Sequence, residues 1–273
     1  MADFSSQGPN PISPDILKPD ITAPGVNILA AFSEAAPITD LTSDQRHVPF
    51  NIISGTSMAT PHVAGVAALL KQLQPHWSPG SIKSALMTTA KITDNTKSGI
   101  KDSSLQTAGP FNYGAGHVNP NGAADPGLVY DLSTRDYNSF LCSLNYNSTQ
   151  IKAITGKVFS CRAGEPKIYD LNYPSISVSD LKGSVTVKRT VTNVGNGPAT
   201  YTAKVQSPDG ISVSVQPRVL QFSRSGEKKS FNVALRAVNS SAGEYVFGSI
   251  TWVNREHLVA SPIAVNATSV MTS

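Results

Sequence analysis

Two cysteines, Cys142 and Cys161, are all that the 273 residues contain, and no nearby pair of histidines accompanies them. A zinc site of closely spaced Cys and His ligands is therefore not expected, and neither is a cofactor. In an oxidising compartment the two can form a disulfide; in a reducing one they stay as buried or idle thiols. Charge is also scarce, at 15% of residues with a formal net charge of +4. The basic residues come as short pairs such as Lys188-Arg189 and Lys228-Lys229 rather than as a stripe, so a nucleic-acid partner is not expected. No apolar run is long enough to span a bilayer. The start, Met1-Ala2-Asp3-Phe4, has neither the charged nor the apolar region of a secretory leader. Hydrophobic residues make up 40% of the chain, enough to bury a core, and the length allows one or two domains.

What the chain does contain is organised around Gly55-Thr56-Ser57-Met58-Ala59-Thr60-Pro61-His62-Val63-Ala64-Gly65, followed by Val66-Ala67-Ala68-Leu69-Leu70. The apolar run Phe50-Asn51-Ile52-Ile53 leads into a Ser-Gly-Thr-Ser corner, and a helix apolar on nearly every face follows. Such a helix is normally buried inside a large domain. Pro61 is tolerated in the first turn, where the N–H groups have no internal partner. Ser57 is thus expected at a helix N-terminus, whose free N–H groups and positive dipole end favour developing negative charge. Acyl-transfer chemistry wants its nucleophile there, because the serine's own N–H can help hold the oxyanion. The plainer reading of an isolated Gly-Thr-Ser is a helix cap.

These eleven residues resemble the serine box of the subtilisin family letter for letter. The competing serine-hydrolase signature, G-x-S-x-G, fails at Ala59. Upstream, Phe4-Ser5-Ser6-Gln7-Gly8-Pro9 and Lys18-Pro19-Asp20-Ile21-Thr22-Ala23-Pro24-Gly25-Val26-Asn27-Ile28 are similar to stretches that precede the serine in that family. The plant branch fits best, where I-L-K-P-D and N-I-L-A-A are usual. Tyr113-Gly114-Ala115-Gly116-His117-Val118-Asn119 resembles the stretch closing the catalytic domain, and its glycines read as turn residues. Residues 119–131, with Asp125-Pro126-Gly127-Leu128-Val129-Tyr130-Asp131, continue the pattern. The resemblance implies an α/β fold, part of a doubly wound parallel sheet with helices on both faces. It implies Ser57 as nucleophile within a box of Gly55, Thr56 and Met58, a polypeptide substrate, and an extracellular (apoplastic) location.

Elsewhere, residues 33–48 read as a polar surface loop whose Pro37, Asp40, Asp44 and His47 carry little catalytic signal. Ser78 reads as an N-cap with Pro79 at the first helical position, and Ile82, Ala85, Leu86 and Thr89 form a helical stripe. Residues 132–169 read as a connector holding both cysteines. N-x-S/T triplets at Asn147, Asn239 and Asn266 are candidate glycan acceptors. From residue 170 the composition turns to alternating runs: Val185, Val187, Arg189 and Val191; Tyr201, Ala203 and Val205; Ile211, Val213 and Val215; Phe231, Val233 and Leu235; Tyr245 to Trp252; and Leu258 to Val265. About seven strands separated by turn signals predict an antiparallel sandwich. This stretch resembles the fibronectin type III-like domain that ends plant subtilases, packed on the catalytic part with Trp252 in core or interface. The organisation is thus 1–131, part of a catalytic domain; 132–169, connector; 170–273, sandwich.

The family's triad runs in chain order Asp, His, Ser, with the aspartate in D-[ST]-G and the histidine in H-G-T. Neither stretch occurs in these residues, and the family's oxyanion asparagine and specificity-pocket wall also precede the serine box. His62 lies about 140° around the helix from Ser57 at 100° per residue, facing away, and His76, His117 and His257 read as turn residues. A serine without a base is a weak nucleophile. Two functions follow: a serine endopeptidase represented by its nucleophile-bearing part, or a catalytically dead product that binds through its sandwich. Residues 1–130 alone are expected to expose a large apolar patch, whereas 170–273 is expected to fold independently.

Overall fold

Short apolar strands around a polar loop open the ordered architecture. In the computed structural model, which describes residues 1–39, 41–162, 164–238 and 243–268, β1 (Ile28–Ala31) pairs antiparallel with β2 (Phe50–Ile53), Leu29 opposite Ile52 and Ala31 opposite Phe50. The chain leaves β2 through Ser54 and Gly55 into α1 (Thr56–Leu73). After a turn, α2 (Pro79–Thr88) starts as its sequence demands: Pro79 takes the first position and the Ser78 hydroxyl accepts the Ser81 N–H at 3.0 Å. Ser78 in turn donates to Asp131 at 2.5 Å, so the cap is tied to a residue far along the chain. Two short helices follow, α3 (Pro110–Tyr113) and α4 (Pro120–Ala124), then the two-residue strand β3 (Leu128–Val129). The connector holds α5 (Thr134–Ser143) and α6 (Ser148–Thr155), opened by Ser133/Asp136 and Asn147/Gln150 capping boxes. Cys142 and Cys161 are bonded across it.

The all-β region is built of β4 (Ile176–Leu181), β5 (Ser184–Asn193), β6 (Ala199–Gln206), β7 (Ile211–Gln216), β8 (Val219–Phe222), β9 (Lys228–Ala237), β10 (Tyr245–Val253) and β11 (Leu258–Ala267). One sheet runs β4-β11-β10-β6-β8 and the other β3-β5-β9-β7. All neighbours are antiparallel except β4, which lies parallel to β11. The alternation seen in the sequence does the packing: Val187, Arg189 and Val191 of β5 and Phe231, Val233 and Leu235 of β9 all point inward. Trp252 is fully buried at the centre, its ring 4.9 Å from that of Phe231 in an edge-on arrangement. Strands β4 and β8 were not among the runs read from the sequence.

Three features of the packing bear on the site. Residues 170–273 share a sheet and a core with the preceding portion: β3 is an edge strand beside β5, and Leu128 and Tyr130 sit in the sandwich core. In the mixed helix-and-strand portion, parallel pairing among the described residues is limited to the single bridge between Thr22 and His117. Third, α1 is not enclosed, in line with the apolar patch expected of this portion: Leu70 is its one fully buried residue, while Leu69 and Leu73 are 60% and 62% exposed. These residues supply a partner layer for only one side of the helix. No helix among the described residues is long and apolar enough to cross a membrane.

Arg189 is the unusual member of the core. It is buried, and its guanidinium donates to the carbonyls of Tyr173, Lys188 and Ser175, each at 3.0 Å. Burial pulls its pKa down to about 10, still well above neutrality. Its role is to satisfy carbonyls where the chain enters the sandwich and cannot pair as a strand. Arg189→Ala would orphan the buried carbonyls of Tyr173 and Ser175 and is expected to destabilise the chain by about 3 kcal/mol. Urea denaturation of the whole chain measures this; a loss under about 1 kcal/mol would contradict the assignment.

Candidate functional site at the N-terminus of the serine helix

Ser57 is the second residue of α1 and is solvent-exposed. Gly55 precedes the helix in an extended conformation and makes no side-chain cap. Its N–H donates to the Gly25 carbonyl at 2.8 Å, and its own carbonyl accepts from Met58 at 3.0 Å. The neighbouring Ser54 hydroxyl accepts the Asn27 N–H at 2.8 Å. The corner is therefore gripped by residues 25–27. A Cβ on Gly25 would lie 2.8 Å from the Gly55 carbonyl oxygen, so only glycine permits this approach.

The electrostatics of α1 are one-sided. Its first turn has no acidic side chain, so the positive dipole end is uncompensated. At the far end Lys71 donates to the carbonyls of Pro75 and Trp77 at 2.7 and 2.9 Å. The first-turn N–H groups of Thr56 and Ser57 have no acceptor within the helix, which suits them to an oxyanion. A cleft of about 640 Å³ runs along the Gly55, Thr56, Ala59, Thr60 and Val63 side of the helix and reaches Gly25; Ser57 does not line it. Thr60 donates back to the Thr56 carbonyl at 3.0 Å.

A base is not brought to the hydroxyl by the described residues. The His62 ring is bonded through Nδ1 to the Met58 carbonyl of its own helix at 2.8 Å. His47 contacts the Glu34 carbonyl at 2.8 Å through the same ring atom. Its loop neighbour Asp44 is taken by Arg46 at 2.8 Å and by Thr39, hydrogen bonds that hold its carboxyl well below the usual carboxylate range; Asp40 lies outside the described residues. His76 is exposed in the turn after α1. His117, read as a turn residue, instead bridges Thr22 and Lys91. His257 Nε2 lies 2.9 Å from an Asp125 carboxylate oxygen, and its Nδ1 lies 3.4 Å from the Tyr201 hydroxyl. Of the glycan triplets, Asn147 is exposed as the α6 cap, Asn266 is within β11 with its buried Oδ1 unpartnered, and Asn239 lies outside the described residues.

Behind the corner lies a charged cluster that sequence reasoning missed. Asp20 accepts from Lys18 at 2.8 Å through each carboxylate oxygen, faces Lys83 at 3.6 Å, and accepts from the Tyr173 hydroxyl. Lys83 and Lys18 also reach that hydroxyl, at 3.3 and 3.4 Å. The one visible signal was Lys18-Pro19-Asp20 itself; Tyr173 is more than 150 residues away.

Comparison with known proteins places this geometry in context. The sequence profile described as "Subtilase family" matches residues 1–116, and that described as "Fibronectin type-III domain" matches residues 170–265. The chain is similar to the subtilisin-like protease SBT5.4 of Arabidopsis thaliana, with 53% identity over 98% of this chain and 34% of the relative. It is 50% identical to the subtilisin-like protease Glyma18g48580 of Glycine max over 97% of this chain and 34% of that protein. It is 49% identical to the subtilisin-like serine-protease S of Lotus japonicus over 98% and 35% respectively. The chain thus spans about a third of the length of these relatives.

The Asp20 cluster has a pH signature. Burial alone would push the Asp20 carboxyl up, but Lys83, Lys18 and the Tyr173 hydroxyl outweigh it and hold the pKa below its ordinary value. A carboxylate whose folded pKa lies below its unfolded value, about 3.9, stabilises the fold above that value. The contribution is lost as pH falls through the folded pKa. Asp20→Asn is therefore expected to lower stability at neutral pH and to flatten the fall in stability below about pH 4. Thermal melts from pH 2 to 7 check this; an acid limb unchanged by the substitution would contradict it.

Proposed function

Since the chain belongs to the subtilase family, we propose that it is the nucleophile-bearing part of a serine endopeptidase acting on polypeptides outside the cell. Ser57 is the attacking group. Its oxygen adds to the scissile carbonyl while a histidine takes its proton, and an aspartate orients that histidine. The resulting oxyanion is held by the Ser57 N–H at the positive helix end, with Thr56 assisting and Gly55 and Met58 shaping the turn. Collapse of the intermediate returns the proton to the leaving amine, and water then releases the acyl group. The base and its orienter come from a D-[ST]-G and H-G-T portion outside these 273 residues. In this reading residues 1–131 are catalytic-domain material, 132–169 a connector and 170–273 the sandwich.

The observation that carries the proposal is an exposed serine box at the acid-free N-terminal tip of α1. The uncovered α1 and β1–β2 surfaces support the same reading. Leu69, Leu73, Phe50 and Ile52 are each about 60% exposed, an unusual concentration of bare apolar area. The layer that carries the base is the fitting cover. The rival reading is a catalytically dead product that binds through its sandwich; its first half fits the isolated chain, since no histidine among the described residues is bonded to Ser57.

A fluorophosphonate probe tests both. The 273 residues alone are expected to label no faster than Ser57→Ala. A chimera in which they replace the matching stretch of the Arabidopsis relative is expected to label, and to lose labelling on Ser57→Ala. Labelling that survives this substitution would overturn Ser57 as nucleophile; fast labelling of the isolated chain would overturn an external base. For the secretory route, Asn147 is the acceptor whose exposure suits a glycan, and Asn147→Gln is expected to remove a glycan mass from protein expressed through that route. An unchanged mass would contradict it.

A further inference from the structure

We propose that Tyr173 is a positioning residue for the serine corner, coupling the sandwich to the place where Ser57 enters its helix. Tyr173 is buried at the entrance to the sandwich. Its backbone carbonyl is held by the core residue Arg189 at 3.0 Å. Its hydroxyl donates to Asp20 and accepts from Lys83 at 3.3 Å, and the two lysine ammonium groups lie 5.8 Å (Lys18) and 5.2 Å (Lys83) from its ring centroid. One side chain thus joins three segments: the Lys18-Pro19-Asp20 strap, α2, and the first residues of the all-β region.

From Asp20 the path to the serine is short and built of backbone bonds. The Asp20 carbonyl accepts from Ala115 at 3.0 Å, Thr22 donates to Gly116 at 2.9 Å, and Val118 donates to Thr22 at 2.8 Å. Gly114, with φ +68°, is packed so closely on the Pro19 and Asp20 backbone that no side chain fits. These contacts tie residues 20–22 to residues 114–118, so the segment moves as a unit. Three residues later the Gly25 carbonyl takes the Gly55 N–H at 2.8 Å, two residues before Ser57. A displacement of Asp20 must therefore be absorbed at Gly25 or passed to Gly55. A shift of the order of 1 Å at a nucleophile can cost about a hundredfold in rate.

Other contacts tie the sandwich to the same strap without lying on this path. Ser177 donates to the Pro14 carbonyl at 2.7 Å, and Ser179 binds Asp15 through N–H and hydroxyl, each at 2.8 Å. They hold the strap's start, at Pro14 and Asp15, six and five residues before Asp20. They serve as controls, since a general docking role would not distinguish them from Tyr173.

The inference deepens the reading of Ser57 as nucleophile, because positioning matters to chemistry only if that reading holds; the test does not depend on it. Hydrogen exchange of the whole chain at fixed pH reads the Gly55 amide directly. Tyr173→Phe, which keeps the ring, is expected to speed exchange at Gly55 by about tenfold, the equivalent of losing one charge-assisted hydrogen bond. Amides within β9 and β11 are expected to stay unchanged. Asp20→Asn is expected to act alike, with the double variant no faster than either single, as for two members of one path. Ser177→Ala is expected to leave Gly55 unaffected. An unchanged Gly55 amide in Tyr173→Phe, a rise of equal size across β9 and β11, additive effects in the double variant, or the same response to Ser177→Ala would each overturn the proposal.

Discussion

The hydrogen bond from the Gly55 N–H to the Gly25 carbonyl decides where α1 begins, and most of what the molecule can do depends on that start. One residue earlier or later would turn Ser57 by about 100° around the helix and take it off the end where free N–H groups and the dipole converge. The grip works because Gly25 has no side chain: a Cβ there would lie 2.8 Å from the Gly55 carbonyl oxygen. It also explains why the strap of residues 14–25 is tied down so heavily, by Ser177 and Ser179 at its start, Tyr173 and the lysines at its middle, and the Thr22 bridge near its end.

The second constraint is burial that the chain does not complete. A helix apolar on nearly all faces stabilises a fold only when covered, at roughly 1.5–3 kcal/mol for each large side chain removed from water. Here α2 and α4 cover one flank, with Leu70, Ala85, Leu86 and Ala123 in a common cluster, while Leu69 and Leu73 face solvent. The sandwich shows the opposite economy: its core is closed, and it borrows Leu128 and Tyr130 from the portion before the connector to close it. The two portions are thus interlocked through β3 and the strap rather than joined by a simple linker.

Much of this was legible in the sequence because it is local. The serine box, the Ser78-Pro79 helix start and the alternating strands of the sandwich each carry their own turn chemistry or period. The alternation even put Arg189 among the inward valines of β5, where it lies buried. What could not be read was set by tertiary pairing. Two residues are too few to show a period, so β3 was indistinguishable from loop. Strand β8 has four residues, which is scarcely better. The Tyr173–Asp20 contact joins residues with no local relation. The exposure of α1 was legible only at one remove: its composition asks for burial on all sides, and the portion read from these residues is too small to supply it.

The central claim is that position 57 occupies an electropositive helix end whose proton acceptor lies outside these residues. Replacing Ser57 by Cys in the otherwise unaltered chain tests this directly, because Cys142 and Cys161 are bonded to each other and the new thiol is then the only one. Its alkylation rate against pH reports its acidity. The account predicts a thiol pKa below the ordinary value of about 8.5, as at other helix N-termini. A pKa at or above that value would contradict it.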